Sequence, residues 1–309
     1  MGTGYLAAIG TLIAWTISTF VLAKLSRLVE SPVLNRAVLL SSTLLLGVLV
    51  CFIDGINPLT LFTLPSTSNW IWLGISGILG KSVGDYCGYQ AMRILGVRRR
   101  TMITTLGPGF TWLFGLMILN ESMNWLGLAA MTLTLVSLLL FINSNSERNE
   151  VKQENFGKPV PGFLFGIASA GLTGLAFIIS KMAFMEEGRR ISEFHGTWIR
   201  IVVAFVTLMV FDIVRNKHLD FVKPFLTDMR RGSLLFFCIL FGAVLGLSFS
   251  LIAIMRMNAA VAYTIFSMLP VTIMLGSVLL YNKRISLQSW VYSLIAIAGV
   301  LLLVWRNAF

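Results

Sequence analysis

The sequence predicts an all-α membrane protein, a bundle of ten transmembrane helices arranged as two inverted five-helix repeats. Composition is the first reason. Of 309 residues, 57% are hydrophobic and 12% charged, with a mean hydropathy of +0.85; a soluble domain carries about 25% charged residues. Spacing is the second. Apolar runs of roughly 20 residues, enough to cross a bilayer, lie near 4–23, 34–53, 70–91, 100–119, 124–143, 161–182, 196–214, 233–254, 259–281 and 287–305. Internal repetition is the third. Moving residues 73–141 forward by 162, without a gap, sets Leu73 on Leu235, Gly80 on Gly242, Gly84 on Gly246, Pro108 on Pro270 and Asn120 on Asn282. A unit of about 150 residues is too long for a solenoid repeat. Doubled membrane bundles of this kind are the construction of many secondary carriers, and an odd span count per half inverts the second copy.

Taken in order, the first run follows Met1–Ile9, which lacks a basic stretch, and reads as an uncleaved helix carrying Trp15. Arg36 stands early in the second helix, as Arg200 does in the seventh, 164 residues later. Each could reach headgroup water by snorkelling, or act as a gate or anion contact. The third helix carries a ladder of Gly80, Gly84 and Gly88, mirrored by Gly242, Gly246 and Ser250, which suits close helix packing. Beside it stand Lys81 and Asp85, four apart on one face. Their repeat mates are Ala243 and Leu247, so the charges belong to the first half alone. An ionisable side chain at the bilayer centre costs roughly 2.5–3.5 kcal/mol on insertion scales. The pair is therefore either a self-neutralised packing element or a charged patch on a substrate or proton pathway.

Pro108 and Pro270 occupy corresponding places in the fourth and ninth helices, near Thr104 and near Tyr263 and Ser267. Mid-span proline kinks a helix and frees a carbonyl a turn earlier, and such breaks are where carriers bind substrate. Trp15 and Tyr89 are further candidates for the pathway. Glu121, beside Asn120 and Ser122, suits a cap for the fifth helix. Trp70, Trp72, Trp125, Trp290 and Trp305 suit interfacial anchors. Residues 1–143 form the first repeat, 144–159 a polar linker and 160–309 the second repeat.

The net charge of +11 is a matter of topology, because Lys and Arg gather in short connections. Connections after odd-numbered helices receive about 17 of the 24, including Arg98, Arg99 and Arg100, and the other side about 7. That places both termini outside the cytoplasm. No soluble basic module exists to bind nucleic acid. Cys51, Cys87 and Cys238 show no CxxC spacing, and His195 and His218 lie in or beside connections. With no phosphate-binding loop, HExxH or GxSxG, neither an ATP-driven pump nor an enzyme is indicated. No catalytic residue, cofactor or metal site is expected. The expected partners are a small-molecule substrate, the lipid bilayer and protons, around a monomer or homodimer.

Two stretches, each preceded by its arginine, carry a family resemblance. After Arg36 comes GKSVGDYCGYQAMRILGVRRRTMITTLGPGFTWLFGLMILNESMNWLG, and after Arg200 comes GAVLGLSFSLIAIMRMNAAVAYTIFSMLPVTIMLGSVLLYNKRIS. Both halves resemble the EamA repeat of the drug/metabolite transporter superfamily, over nearly the whole chain. One departure is that the family's glutamate is present as Glu121 but its repeat mate is Lys283. The resemblance implies a multi-pass protein of the cell (inner or plasma) membrane with both termini inside, against the charge count. It further implies a carrier, an exporter of a small polar metabolite, amino-acid-like or amphiphilic, by alternating access with protons as the candidate coupling ion. The alternatives are an organic-phosphate or nucleotide-sugar exchanger, or a non-transporting scaffold or receptor. Phosphate-translocating relatives have basic residues where this chain has Thr104 and Ala260-Val261-Ala262-Tyr263, which argues against phosphate.

Overall fold

The computed structural model describes residues 2–25, 28–142, 159–185, 191–215, 220–281 and 286–305. The linker expected at 144–159 lies outside these except for Pro159, as does Lys283. The described chain is helical, with no strand. In the first half the helices are α1 (Gly2–Leu25), α2 (Ser31–Ile53), the short α3 (Thr60–Thr63), α4 (Thr67–Gly77), α5 (Asp85–Thr104), α6 (Gly107–Leu119) and α7 (Trp125–Ile142). A π-helical segment, Ile78–Gly84, joins α4 to α5. The second half has α8 (Pro159–Met185), α9 (Glu193–Val214), the short α10 (Lys223–Leu226), α11 (Met229–Ile239), α12 (Leu247–Arg256), α13 (Ala259–Phe266), α14 (Leu269–Tyr281) and α15 (Leu287–Trp305). A second π segment, Leu240–Gly246, joins α11 to α12.

The repeat is written into these boundaries. The two π segments are 162 residues apart at both ends, and so are α4 and α11, and α6 and α14. Among the described residues eight helices are long and apolar enough to cross a membrane, and Gly107–Leu119 is a shorter apolar helix. The expected ten separate spans differ in the third and fourth. Asn69, Lys81, Asp85 and the basic residues of α5 dilute the apolar character of 67–104.

The order of contacts along α8 shows how that stretch runs. Asn69 donates to the Ala183 carbonyl at 3.1 Å, Ser76 to Ala176 at 2.8 Å, and Gly84 accepts from Ser169 at 2.8 Å. Leu95 packs on Gly162, where an added Cβ would stand 2.5 Å from its Cγ. Beyond that the order reverses, Ile103 lying against Gly166 and Thr111 against Gly174. The chain therefore turns back between Leu95 and Ile103 without losing helical backbone.

Local chemistry sets the ends. Ser66 and Asn69 form a reciprocal capping box at α4. Ser192 caps α9, and Asn258 caps α13 through the Ala260 and Val261 amides. Asn120 ends α6 in the left-handed region at φ 53°. Pro108 and Pro270 correct an expectation, because each begins a helix and kinks none. A first-turn proline lacks only an N–H that would have had no intrahelical partner. The true breaks are at Thr105–Leu106 and Ser267–Met268.

The glycine ladders are packing seams on the long helices of the opposite half. A Cβ on Gly80 would stand 3.0 Å from Ala176 Cβ, and one on Gly242 would stand 2.5 Å from Ser18 Oγ. Trp125 and Trp305 are largely exposed, as anchors should be, whereas Trp70 stacks on Phe62 and packs edge-on to Trp198.

Candidate functional site

The charged cluster starts from the first π segment. Widening the helix to i→i+5 bonding, with the Asp85 N–H reaching back to the Gly80 carbonyl, bulges the backbone at a place two glycines permit. Lys81 lies within this segment and its ammonium donates to Asp85 at 3.3 Å; the side chains keep 26% and 31% of their exposure. The pairing expected from the four-residue spacing is formed.

Arg200 enters the same cluster from α9. Its side chain does not snorkel as expected: the residue is 3% exposed, held against the π segment. The reason is a close crossing. A Cβ on Gly77 would collide with the Arg200 carbonyl, so glycine lets α4 and α9 approach, and the guanidinium then passes beside Gly80, with Nη2 3.8 Å from the position of a Cβ there. The guanidinium carbon stands 5.9 Å from the Phe177 ring centre. Its Nε has no hydrogen-bond partner. Asp85 is the carboxylate whose charge reaches it.

Below this lies an aromatic group. Phe177 meets Tyr263 edge-on at 5.1 Å and Phe266 at 6.1 Å, and Trp15 meets Phe266 at 5.4 Å. Tyr263 packs over Gly107, where a Cβ would stand 2.6 Å from its ring, which ties the two proline breaks together. Ser267 caps α13 by donating to the Tyr263 carbonyl at 2.9 Å. Arg100 crosses Gly88, its Nη2 2.9 Å from the position of a Cβ there, and its Nε has no hydrogen-bond partner. The charges of Arg100 and Asp85 both reach Tyr263.

The structure thus draws Lys81, Asp85, Arg200 and Tyr263 together, with Pro108 and Pro270 at the breaks alongside. Trp15 stands one aromatic layer away, donating to the Gly242 carbonyl at 3.2 Å. Thr104 ends α5. The side chain of Tyr89 lies outside the described residues.

Arg36 goes elsewhere. It makes a two-pronged pair with Asp212 of α9, through Nε to Oδ2 and Nη2 to Oδ1, the latter at 2.6 Å. The side chains are 11% and 8% exposed, so this arginine too does not reach headgroup water. Glu121 also departs from expectation. In place of capping its own helix five, it pairs with Lys181 and accepts from the Ala259 N–H at 3.0 Å, capping α13 of the other half. Lys181 donates in turn to the Met257 carbonyl at 2.7 Å, so one end of the bundle is clamped. At that end the fully buried His195 bonds the Leu61 carbonyl at 2.9 Å, and Asp54 accepts from Ser192 at 2.7 Å. Asp212, Lys181, Arg100 and the burial of His195 escaped sequence reasoning. Each matters through a partner distant in sequence, for which local spacing carries no signal.

A multi-pass helical membrane protein built from two repeats, with charge buried between them, is the class these features define. The sequence model of the EamA-like transporter family matches residues 2–143 and 160–305, and the chain belongs to that family. A solved structure titled "Crystal structure of protein" is similar over 99% of each chain, with a TM-score of 0.73 at 14% identity, a likeness of fold. No curated protein matches the sequence.

Proposed function

We propose that the protein is a secondary active carrier that exports a small polar metabolite, amino-acid-like or amphiphilic, by alternating access. The observation that carries this reading is the buried charge cluster of Lys81, Asp85 and Arg200 on the seam between the halves. Membrane-buried charge marks pathways because desolvation makes it costly anywhere else. The partial exposure of Lys81 and Asp85, with Arg100 and the basic connection further along α5, supports access from the end with the basic connections. The opposite end is held by Glu121, Lys181, Met257 and Ala259. If the basic end is cytoplasmic, as the charge bias argues, this is the loading state of an exporter. Asp85 is the carboxylate of the cluster and the group a coupled proton would use.

The test is flux in proteoliposomes holding purified protein, measured as counterflow with a panel of labelled amino acids and related metabolites, with and without an imposed pH gradient. Saturable flux is expected, and Asp85→Asn should weaken its dependence on the gradient. Absence of flux for every class would leave the protein a scaffold or receptor. A C-terminal reporter that is active only in the cytoplasm should stay silent; activity there would reverse the assigned direction.

A further inference from the structure

The two repeat-related arginines are treated differently by the fold. Arg36 finds Asp212 in the opposite half. By the same 164-residue offset, the residue that would serve Arg200 is Val48, which has no charge to offer. Arg200 is 3% exposed, its Nε has no hydrogen-bond partner, and among the described residues no carboxylate lies within ion-pair distance of it. A guanidinium presents a rigid fork of donors matched to a planar carboxylate, and leaving that fork unmet away from water is unfavourable. Gly80 lets the guanidinium lie close to the π segment, its Nη2 3.8 Å from the position of a Cβ there, with Ala176 packed on the same glycine.

The charge count of the cluster points the same way. Among the described residues Lys81, Arg100 and Arg200 stand against one carboxylate, Asp85, and Lys81 already neutralises it at 3.3 Å. Two guanidinium groups with unpartnered Nε atoms remain. A cation would meet net repulsion here, whereas an anion would complete the arrangement as Asp212 completes Arg36.

We infer that Arg200 is the anchor for a carboxylate on the transported molecule, bound fork to fork, with Arg100 as the second cation of the site. The substrate class is therefore an organic acid or an amino acid held by its carboxylate, and not a polyamine or an uncharged drug. The inference rests on reading the cluster as the substrate site, and a binding measurement separates the two claims.

Purified wild-type protein is heated in detergent with matched acid and amide probes: phenylacetate and phenylacetamide, succinate and succinamide, L-phenylalanine and its amide. Inorganic phosphate and putrescine complete the set. At least one acid should raise the unfolding midpoint by about 2–4 °C at saturation while its amide does not. Arg200→Met should bind that acid roughly tenfold to hundredfold more weakly, the worth of a charge-assisted fork, and Arg200→Lys should fall between. The inference is overturned if no acid exceeds its amide, if phosphate or putrescine alone stabilises, or if Arg200→Met binds the acid as wild type does. The acid–amide comparison needs no variant, so a misfolded mutant does not rescue the claim. Acid binding without flux would sink the carrier reading but keep this one. Flux of substrates lacking a carboxylate would do the reverse.

Discussion

Both halves of the bundle contain the same seven-residue π segment, yet the side chains that cover the two copies differ. In the second half, the π segment Leu240–Gly246 is covered by α1: Ser18 sits on Gly242, and the Trp15 indole fills the space at Gly246 and donates to the Gly242 carbonyl. In the first half, α8 makes the corresponding contacts 158 residues on, Ala176 at Gly80 and Thr173 at Gly84. A threonine therefore stands where the other half has a tryptophan. The exchange falls at Gly84, next to Asp85 and one turn beyond Gly80, which the Arg200 guanidinium approaches. The difference teaches that the backbone device is shared and that side-chain volume on the covering helix sets apart the copy proposed as the site. The arginines follow the same logic, one tied as a strut between helices and its mate, among the described residues, left without a carboxylate.

The strongest way to break this comparison is at the strut. Asp212→Ala should strand the Arg36 charge in a buried setting and cost about 3–5 kcal/mol; thermal unfolding in detergent would measure it. Arg36→Met combined with Asp212→Leu should recover most of that loss. Equal damage from the single and double changes would mean the pair is not the source. Next in size is Thr173→Trp, which copies the second half's plug into the first. The protein should fold, and counterflow should drop roughly tenfold or more, equivalent to at least about 1.4 kcal/mol of lost binding or barrier. Unchanged flux would show that the contact between Thr173 and Gly84 is not part of the pathway.

A smaller effect is expected at the half-exposed pair. Lys81→Met alone should cost about 1 kcal/mol, well below the fully buried case because water still screens Asp85. Lys81→Met with Asp85→Leu should restore stability while abolishing flux. A folded double variant that transports normally would make the pair structural. Smallest of all, Trp15→Phe removes one hydrogen bond to Gly242 and should cost about 0.5–1.5 kcal/mol without altering flux.

Much of the scaffold was legible because helix repeats and bilayer lengths are one-dimensional quantities. The offset of 162 read from Gly80, Gly84 and Pro108 reappears at the ends of both π segments and of α6 and α14. The Lys81–Asp85 pair was legible for the same reason, since four residues is one turn. The proline breaks were misread as mid-span kinks, because the same residue serves a kink or a first turn and only the preceding backbone decides. Arg36–Asp212 and Glu121–Lys181 join residues 176 and 60 positions apart. Such pairings arise from how helices cross. The π turns themselves have no composition of their own, and the glycine ladder reported the seam without reporting the bulge.

The matching π segments also record an order of events. An extra residue inserted into a helical turn rotates everything beyond it, so it survives only if the neighbouring helices accommodate the new phase. Its presence at the same place in both copies is most simply explained by one insertion in a single-length ancestor, inherited by each half when the gene doubled. Lys81, Asp85 and the contrast between Trp15 and Thr173 distinguish the copies, so at these positions the halves diverged after the doubling. On this history the bend in the backbone is older than the difference in charge between the halves, a shape that both still carry while their side chains have gone separate ways.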